Sequence, residues 1–158
     1  MPTWDRSNAE TSIQSVGYRP EYALELVKLW RGAFQRAMAI EEHNRFNELS
    51  GHLNFFATID PASLHVLLDA TTSEIVGFMA LSDGYLNHLY VHVDRQGQGL
   101  GSRLIDHAKS RSPERIELHT FQRNTSAQKF YLSHGFREIE RGFAASEDNP
   151  WATSPDQL

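Results

Sequence analysis

Apolar and polar positions along the chain switch between a period of two and a period near 3.6, and the order of the switches predicts the fold. Residues 11–18, TSIQSVGY, read as a first strand that Arg19-Pro20 breaks. From Glu21 the apolar residues Ala23, Leu26, Val27, Trp30, Phe34 and Ala37 keep helical spacing, which predicts a helix to about Arg36. Residues 42–50 give a weaker second helix. Residues 63–69 (SLHVLLD) and 75–82 (IVGFMALS) read as strands joined by the turn-like ATTSE. Asp83-Gly84 then signals a hairpin into a strand over 85–93. Leu100, Leu104, Ile105 and Ala108 form the buried stripe of a helix, and Pro113 ends that region. Residues 115–121 (RIELHTF) read as another strand.

Thr125 opens the next helix, with Gln128 three residues on as a capping box. Ala127, Phe130, Tyr131 and His134 line one face of it, and Gly135 suits its C-terminal end. Residues 136–144 read as a last strand. The tail over 146–158 is polar, contains Pro150 and Pro155, and is expected to be loosely held. Hairpin-joined strands come first and strand–helix crossovers later. That order predicts one α/β domain over 1–145, of the α+β kind, with a mixed sheet and helices on both faces.

Composition narrows the class. With 40% hydrophobic and 22% charged residues the chain reads as an ordinary soluble domain. It has no apolar run near the ~20 residues that span a bilayer, and its polar start lacks a signal-peptide core, so a cytoplasmic protein without membrane attachment is expected. The absence of cysteine excludes disulfides, thiolate-ligated zinc and a catalytic cysteine on this chain. The net charge of −5 conceals an asymmetry. Residues 95–141 carry nine basic and five acidic groups, whereas residues 38–94 carry eight acidic groups and one base, Arg45. One half is suited to an anion and the other to a cationic partner, while the acidic total argues against nucleic acid.

The glycine-rich stretch Gln96-Gly97-Gln98-Gly99-Leu100-Gly101 lies between a strand and a helix. Its backbone can turn tightly and be approached closely, and the amides that open the following helix face an anion. A dinucleotide fingerprint, G-x-G-x-x-G, fails here, because its third glycine falls on Ser102 or Leu104. A nucleoside-triphosphate loop ending in GK[ST] is absent. The remaining pattern, Q/R-x-x-G-x-G/A, resembles the acetyl-CoA loop of the GNAT superfamily of N-acetyltransferases. Asn124 to Phe136, NTSAQKFYLSHGF, is similar to that family's N-x-x-A-x-x-F-Y-x-x-x-G-F. Together the motifs and strand pattern span nearly the whole chain.

That resemblance implies a central sheet of six to seven strands and acetyl-CoA as co-substrate, with no metal. The pantetheine arm would pair with Leu89, Tyr90, Val91 and Val93. The pyrophosphate would sit on the amides of Gln96, Gly97, Gln98, Gly99, Leu100, Gly101 and Ser102, and Asn124 and Phe130 would also contact the cofactor. Arg95, Arg103 and Arg123 are candidates for the nucleotide phosphates, against the alternative of ordinary surface arginines. Tyr131 matches the family's general acid, since a phenol with a pKa near ~10 stays protonated at neutral pH. For the base, DGYLNHLYVH offers Asp83, Tyr85, Asn87, His88 and His92, and His88 is taken by its intrinsic pKa, with His119 a further possibility. Strict alternation puts Tyr85, Asn87 and Leu89 on one face and His88, Tyr90 and His92 on the other, unless a bulge intervenes. The expected reaction is direct transfer to a primary amine on a small cationic molecule or basic peptide, by a monomer or homodimer. A non-catalytic acyl-CoA-binding module is the alternative. The family's usual final strand has no counterpart in the tail.

Overall fold

The computed structural model describes residues 12–38, 53–54 and 56–139. Five strands form one sheet in the order β1-β2-β3-β4-β5: β1 Ile13–Gly17, β2 Leu64–Asp69, β3 Glu74–Ser82, β4 Tyr85–Val91 and β5 Glu117–Leu118. The first three junctions are antiparallel and the last, β4 with β5, is parallel. Three helices accompany them: α1 Ala23–Met38, α2 Leu100–Arg111 and α3 Thr125–Ser133.

The sheet divides the core in two. On one face Leu26, Val27, Trp30 and Phe34 of α1 pack with Phe56, Val66, Ile75 and Phe78. On the other, Leu100, Leu104, Ile105 and Ala108 of α2 pack with Leu67, Val76, Met79 and Leu86, and Phe130 and Tyr131 of α3 lean against the same cluster. The stripe read from the sequence is therefore the buried face of α2. Each fully buried Leu or Ile of this kind contributes about 1.5–3 kcal/mol through apolar area removed from water.

Two expectations on the sheet change. The strand expected over 115–121 shrinks to Glu117–Leu118, because its ladder with β4 holds only Tyr85↔Glu117 and Leu86↔Leu118. The six to seven strands expected become five among the described residues. Residues 136–139 lie in none of them, and the rest of the expected last strand lies outside the described residues. The helix expected over 42–50 and the tail over 146–158 also lie outside. No described helix is long and apolar enough to cross a membrane.

A bulge sets the facing of β4. The register with β3 pairs Leu81 with Leu86 but Ala80 with His88, so Asn87 is the extra residue. Leu86 below it and Leu89 and Val91 above it then all point to the α2 face. His88 and Tyr90 turn to the α1 face, where Trp30 and Phe78 meet them. Strict alternation would have separated Leu86 from both Leu89 and Val91.

Candidate active site

The parting of β4 and β5 builds the site. Beyond Leu86 and Leu118 the two strands diverge, while β4 continues to Val91. The His92 amide donates to the Val76 carbonyl of β3 (2.9 Å). Backbone groups alternate sides along an antiparallel strand, so Tyr90 also turns its N–H and C=O to β3. Leu89 and Val91 turn theirs into the cleft. The Val91 carbonyl accepts the side-chain amide of Gln96 (3.2 Å), as expected of a group on that side.

At the open end of β4 the glycine loop leads into α2. Gly97 and Gly99 hold φ of +80° and +79°, left-handed values that cost a residue with a Cβ ~1–2 kcal/mol. A Cβ on either would meet nothing within 4 Å, so conformation alone selects glycine there. Gly101 has the opposite reason: a Cβ on it would lie 3.1 Å from Cζ of Phe130. Gln96 to Gly99 are exposed. Gly99 is the N-cap of α2, and its carbonyl takes the first helical bond from Arg103 (3.1 Å). The preceding amides of the first turn have no partner inside the helix. A helix start with exposed amides and no side chain at Gly97 or Gly99 fits a diphosphate.

The loop before the glycines is fixed from several sides. Val93–Arg95 forms a single 3-10 turn in which His92 Nδ1 accepts the Asp94 amide (3.1 Å), and Arg36 of α1 donates to the Val93 carbonyl (3.1 Å). Arg95 donates to Asp69 Oδ2 (2.7 Å) and Glu74 Oε2 (3.3 Å), at the two ends of the β2–β3 hairpin. The Arg95 guanidinium, with the Thr71 amide, holds the Asp69 carboxyl below its usual range. Arg103 donates to the Ile13 carbonyl (2.8 Å). Two of the three arginines considered for phosphate are thus committed to the fold.

On the other wall, α3 begins at Thr125 as expected, but its cap is the residue before it and not Thr125 itself. Asn124 is the N-cap, accepting from the Ala127 amide (3.1 Å). Gln128 instead donates to the carbonyls of Phe121 (3.0 Å) and Gln122 (2.8 Å), tying α3 to the chain leaving β5. Asn124 keeps Nδ2 without a protein partner among the described residues. Tyr131 is half-buried, with its ring 5.2 Å from Phe130 and 5.4 Å from Phe136. Burial first, and the neighbouring Tyr90 second, push its phenol well above the usual range. Burial likewise pushes Tyr90 up to about 12, partly offset by the Trp30 indole. Both phenols are proton-bearing at neutral pH, and Tyr131 lies close enough to Tyr90 of β4 to feel it.

The sequence reading missed the bond between Ser102 Oγ and His134 Nε2 (3.0 Å). It fastens the first turn of α2 to the end of α3. The facing of His134 alongside Phe130 and Tyr131 was its only sequence signal.

The histidines separate. His88 lies half-buried, its ring 4.6 Å from Trp30 and 6.1 Å from Tyr90. His92 caps its own turn. His119, the first residue of the β5 side past the last ladder pair, is exposed and pairs through Nδ1 with the Tyr85 hydroxyl. Among the described residues no three His, Asp or Glu are grouped to hold a metal ion.

Comparison with known proteins agrees with this geometry. The family described as "Acetyltransferase (GNAT) domain" matches residues 60–138. Peptidyl-lysine N-acetyltransferase YjaB of Salmonella typhimurium is 28% identical over 123 residues, 78% of this chain and 82% of that protein. The solution structure of apo-form YjaB from Escherichia coli superposes with a TM-score of 0.66 at 26% identity, covering 82% of this chain and 86% of the other. The PaiA N-acetyltransferase of Thermoplasma acidophilum, solved in complex with coenzyme A, shares the fold with a TM-score of 0.65 at 16% identity, over 82% and 92% of the two chains.

Proposed function

Because this chain belongs to the GNAT acetyltransferase family, we propose that it moves the acetyl group of acetyl-CoA onto a primary amine, and that the amine is a lysine side chain of a protein or peptide. The cleft opening beyond Leu86 and Leu118 beside the glycine turn carries this reading. It offers cleft-facing amides next to a helix start suited to a diphosphate. The lysine acceptor is supported by the name of the Salmonella relative; a small cationic amine is the second class to be tested.

In this reading Leu89 and Val91 accept the extended arm of the cofactor by backbone pairing, and a β4 N–H polarises the thioester carbonyl. Gln96 to Ser102 hold the diphosphate through amides, and Asn124 Nδ2 is available to the cofactor. Phe130 acts less by touching the cofactor than by seating α3 on Gly101. With no cysteine to carry an acyl group, the amine attacks directly in a ternary complex, where fixed geometry supplies much of the rate. Tyr131 gives its proton to the leaving sulfur. Proton acceptance from the amine falls to a histidine on the α1 face, where His88 and His119 both stand.

Calorimetric titration with acetyl-CoA, with NAD and ATP as controls, tests the first half. Binding of acetyl-CoA alone, lost when Gly99 and Gly101 are both replaced by bulky residues, supports it. Thiol release on adding a lysine peptide, but not on adding polyamines, supports the acceptor class. Acetyl-CoA binding without thiol release for any amine means a binding module and overturns the enzyme reading.

A further inference from the structure

We infer that His119, oriented by Tyr85, is the residue that takes the proton from the attacking amine, and that His88 walls the acceptor side of the cleft. This rests on the transferase reading above and names a catalytic residue within it. Three observations carry it.

The first is position. The β4–β5 ladder ends at Leu86↔Leu118, so His119 is the first side chain on the β5 side at the apex of the cleft. The bulge at Asn87 sits opposite on β4. The second is facing. Leu86 and Leu118 pack on the α2 face, so their neighbours Tyr85 and His119 turn to the α1 face. Phe121, two residues beyond His119, packs against Phe34 of α1 on that same face (5.7 Å). An amine approaching from the side opposite α2 meets His119 there. The third is chemistry. His119 is exposed, and its Nε2 has no protein partner among the described residues. In the tautomer in which Nδ1–H donates to the Tyr85 oxygen, the Nε2 lone pair is left for a substrate proton. The His88 ring is half-buried against Trp30, Phe78 and Tyr90, so it is less open to a substrate than the exposed His119.

The substrate ammonium gives one proton to His119 Nε2, and the freed nitrogen pair forms the N–C bond at the thioester carbonyl. The C–S bond breaks as the sulfur takes the phenolic proton of Tyr131. The second nitrogen proton restores Tyr131, and His119 returns its proton to water. The titratable group in contact with His119 is Tyr85 on β4, and Glu117, two residues before it on β5, is paired with Arg115.

The test compares pH–rate profiles of thiol release, with a lysine peptide as acceptor, for the unaltered chain, His119→Gln, His88→Gln and Tyr85→Phe, with acetyl-CoA affinity measured for each. We expect His119→Gln to lower kcat about 10²- to 10³-fold, to remove the acidic limb of the profile, and to leave acetyl-CoA affinity unchanged. Added imidazole restores part of the rate to His119→Ala. Tyr85→Phe keeps the limb and loses less, about tenfold. Loss of the acidic limb in His88→Gln, with His119→Gln retaining it, overturns the inference while the transferase reading stands. Thiol release from no amine, even by the unaltered chain, overturns both.

Discussion

Leu86 and Leu118 are the last facing pair between β4 and β5, and the cleft begins immediately beyond them. Its value as a binding surface depends on which backbone groups it exposes. Val91 points its N–H into the cleft, whereas His92 spends its own on Val76. Val91→Pro removes a cleft donor without touching the β3 ladder, and proline is tolerated where no ladder bond is lost. It should weaken acetyl-CoA binding about 3- to 10-fold, the worth of one net hydrogen bond, with little change in melting temperature. His92→Pro should do the reverse, lowering the melting temperature more than the affinity. Calorimetry and thermal melting of both variants decide it.

Gly99 and Gly101 should fail in different ways. Gly99→Ala meets no atom but keeps a left-handed φ of +79°, so it should cost ~1–2 kcal/mol of stability or straighten the turn and lose acetyl-CoA affinity. Gly101→Ala adds a methyl 3.1 Å from the Phe130 ring. It should push α3 and Tyr131 outward and lower kcat more than it raises KM for acetyl-CoA. Phe130→Leu in the same chain should recover part of that kcat. Steady-state kinetics of the two single variants and the double variant show whether the losses couple.

Tyr131→Phe should lower kcat by about 10²-fold with KM for both substrates nearly unchanged, as expected for loss of a general acid. The pH dependence has a definite sign. Burial raises the Tyr131 phenol above its ordinary value, so the protein holds this proton more tightly than a free tyrosine does. The fall of activity from losing the donor should therefore begin above pH ~10. A basic limb in the rate at pH 8 that disappears in Tyr131→Phe would argue against this role.

Arg95 sits just before the glycine motif and reads as a phosphate contact, yet its guanidinium is held by buried Asp69 and by Glu74. Arg95→Met leaves the Asp69 carboxylate without its guanidinium partner, and removing one partner of such a pair destabilises the fold. The melting temperature should drop, and the salt dependence of acetyl-CoA binding should stay that of the unaltered chain. Asp69→Asn in the Arg95→Met background should return part of the stability. A lost salt dependence with unchanged melting would make Arg95 a phosphate ligand after all.

The order of elements was legible because each carries its own period. The Leu100, Leu104, Ile105, Ala108 stripe needs no partner to be recognised as a buried face. The glycine turn was legible because φ near +80° leaves few residues able to serve. Arg95 and Arg103 were not, since their partners Asp69 and Ile13 lie 26 and 90 residues away in sequence. The facing of Tyr85 relative to His88 was not, because one extra residue at Asn87 brings the two onto the same face. The length of β5 was not either: residues 115–121 have strand character throughout, but a ladder ends where the neighbouring strand turns away.

Away from the cleft, His65 of β2 packs against His107 of α2, with ring centroids 4.5 Å apart, and its Nε2 accepts from Arg111 (2.8 Å). Burial, then His107, then Arg111 lower His65 to about 4, and burial followed by Arg111 lowers His107 as well. Both rings are therefore neutral in the native state where the unfolded chain would already bind protons. A folded pKa below the unfolded value means that the native state is at full strength above pH ~6.5 and weakens as pH falls toward 4. For His65 the loss should be about 1–3 kcal/mol once solvent screening of this half-buried site is allowed for. At this chain length that corresponds to several degrees of melting temperature. His65→Gln should flatten the fall between pH 6.5 and 4, and Arg111→Gln should shallow it by removing a fixed positive charge. A melting temperature that falls equally steeply in both variants would move the acid sensitivity elsewhere in the chain.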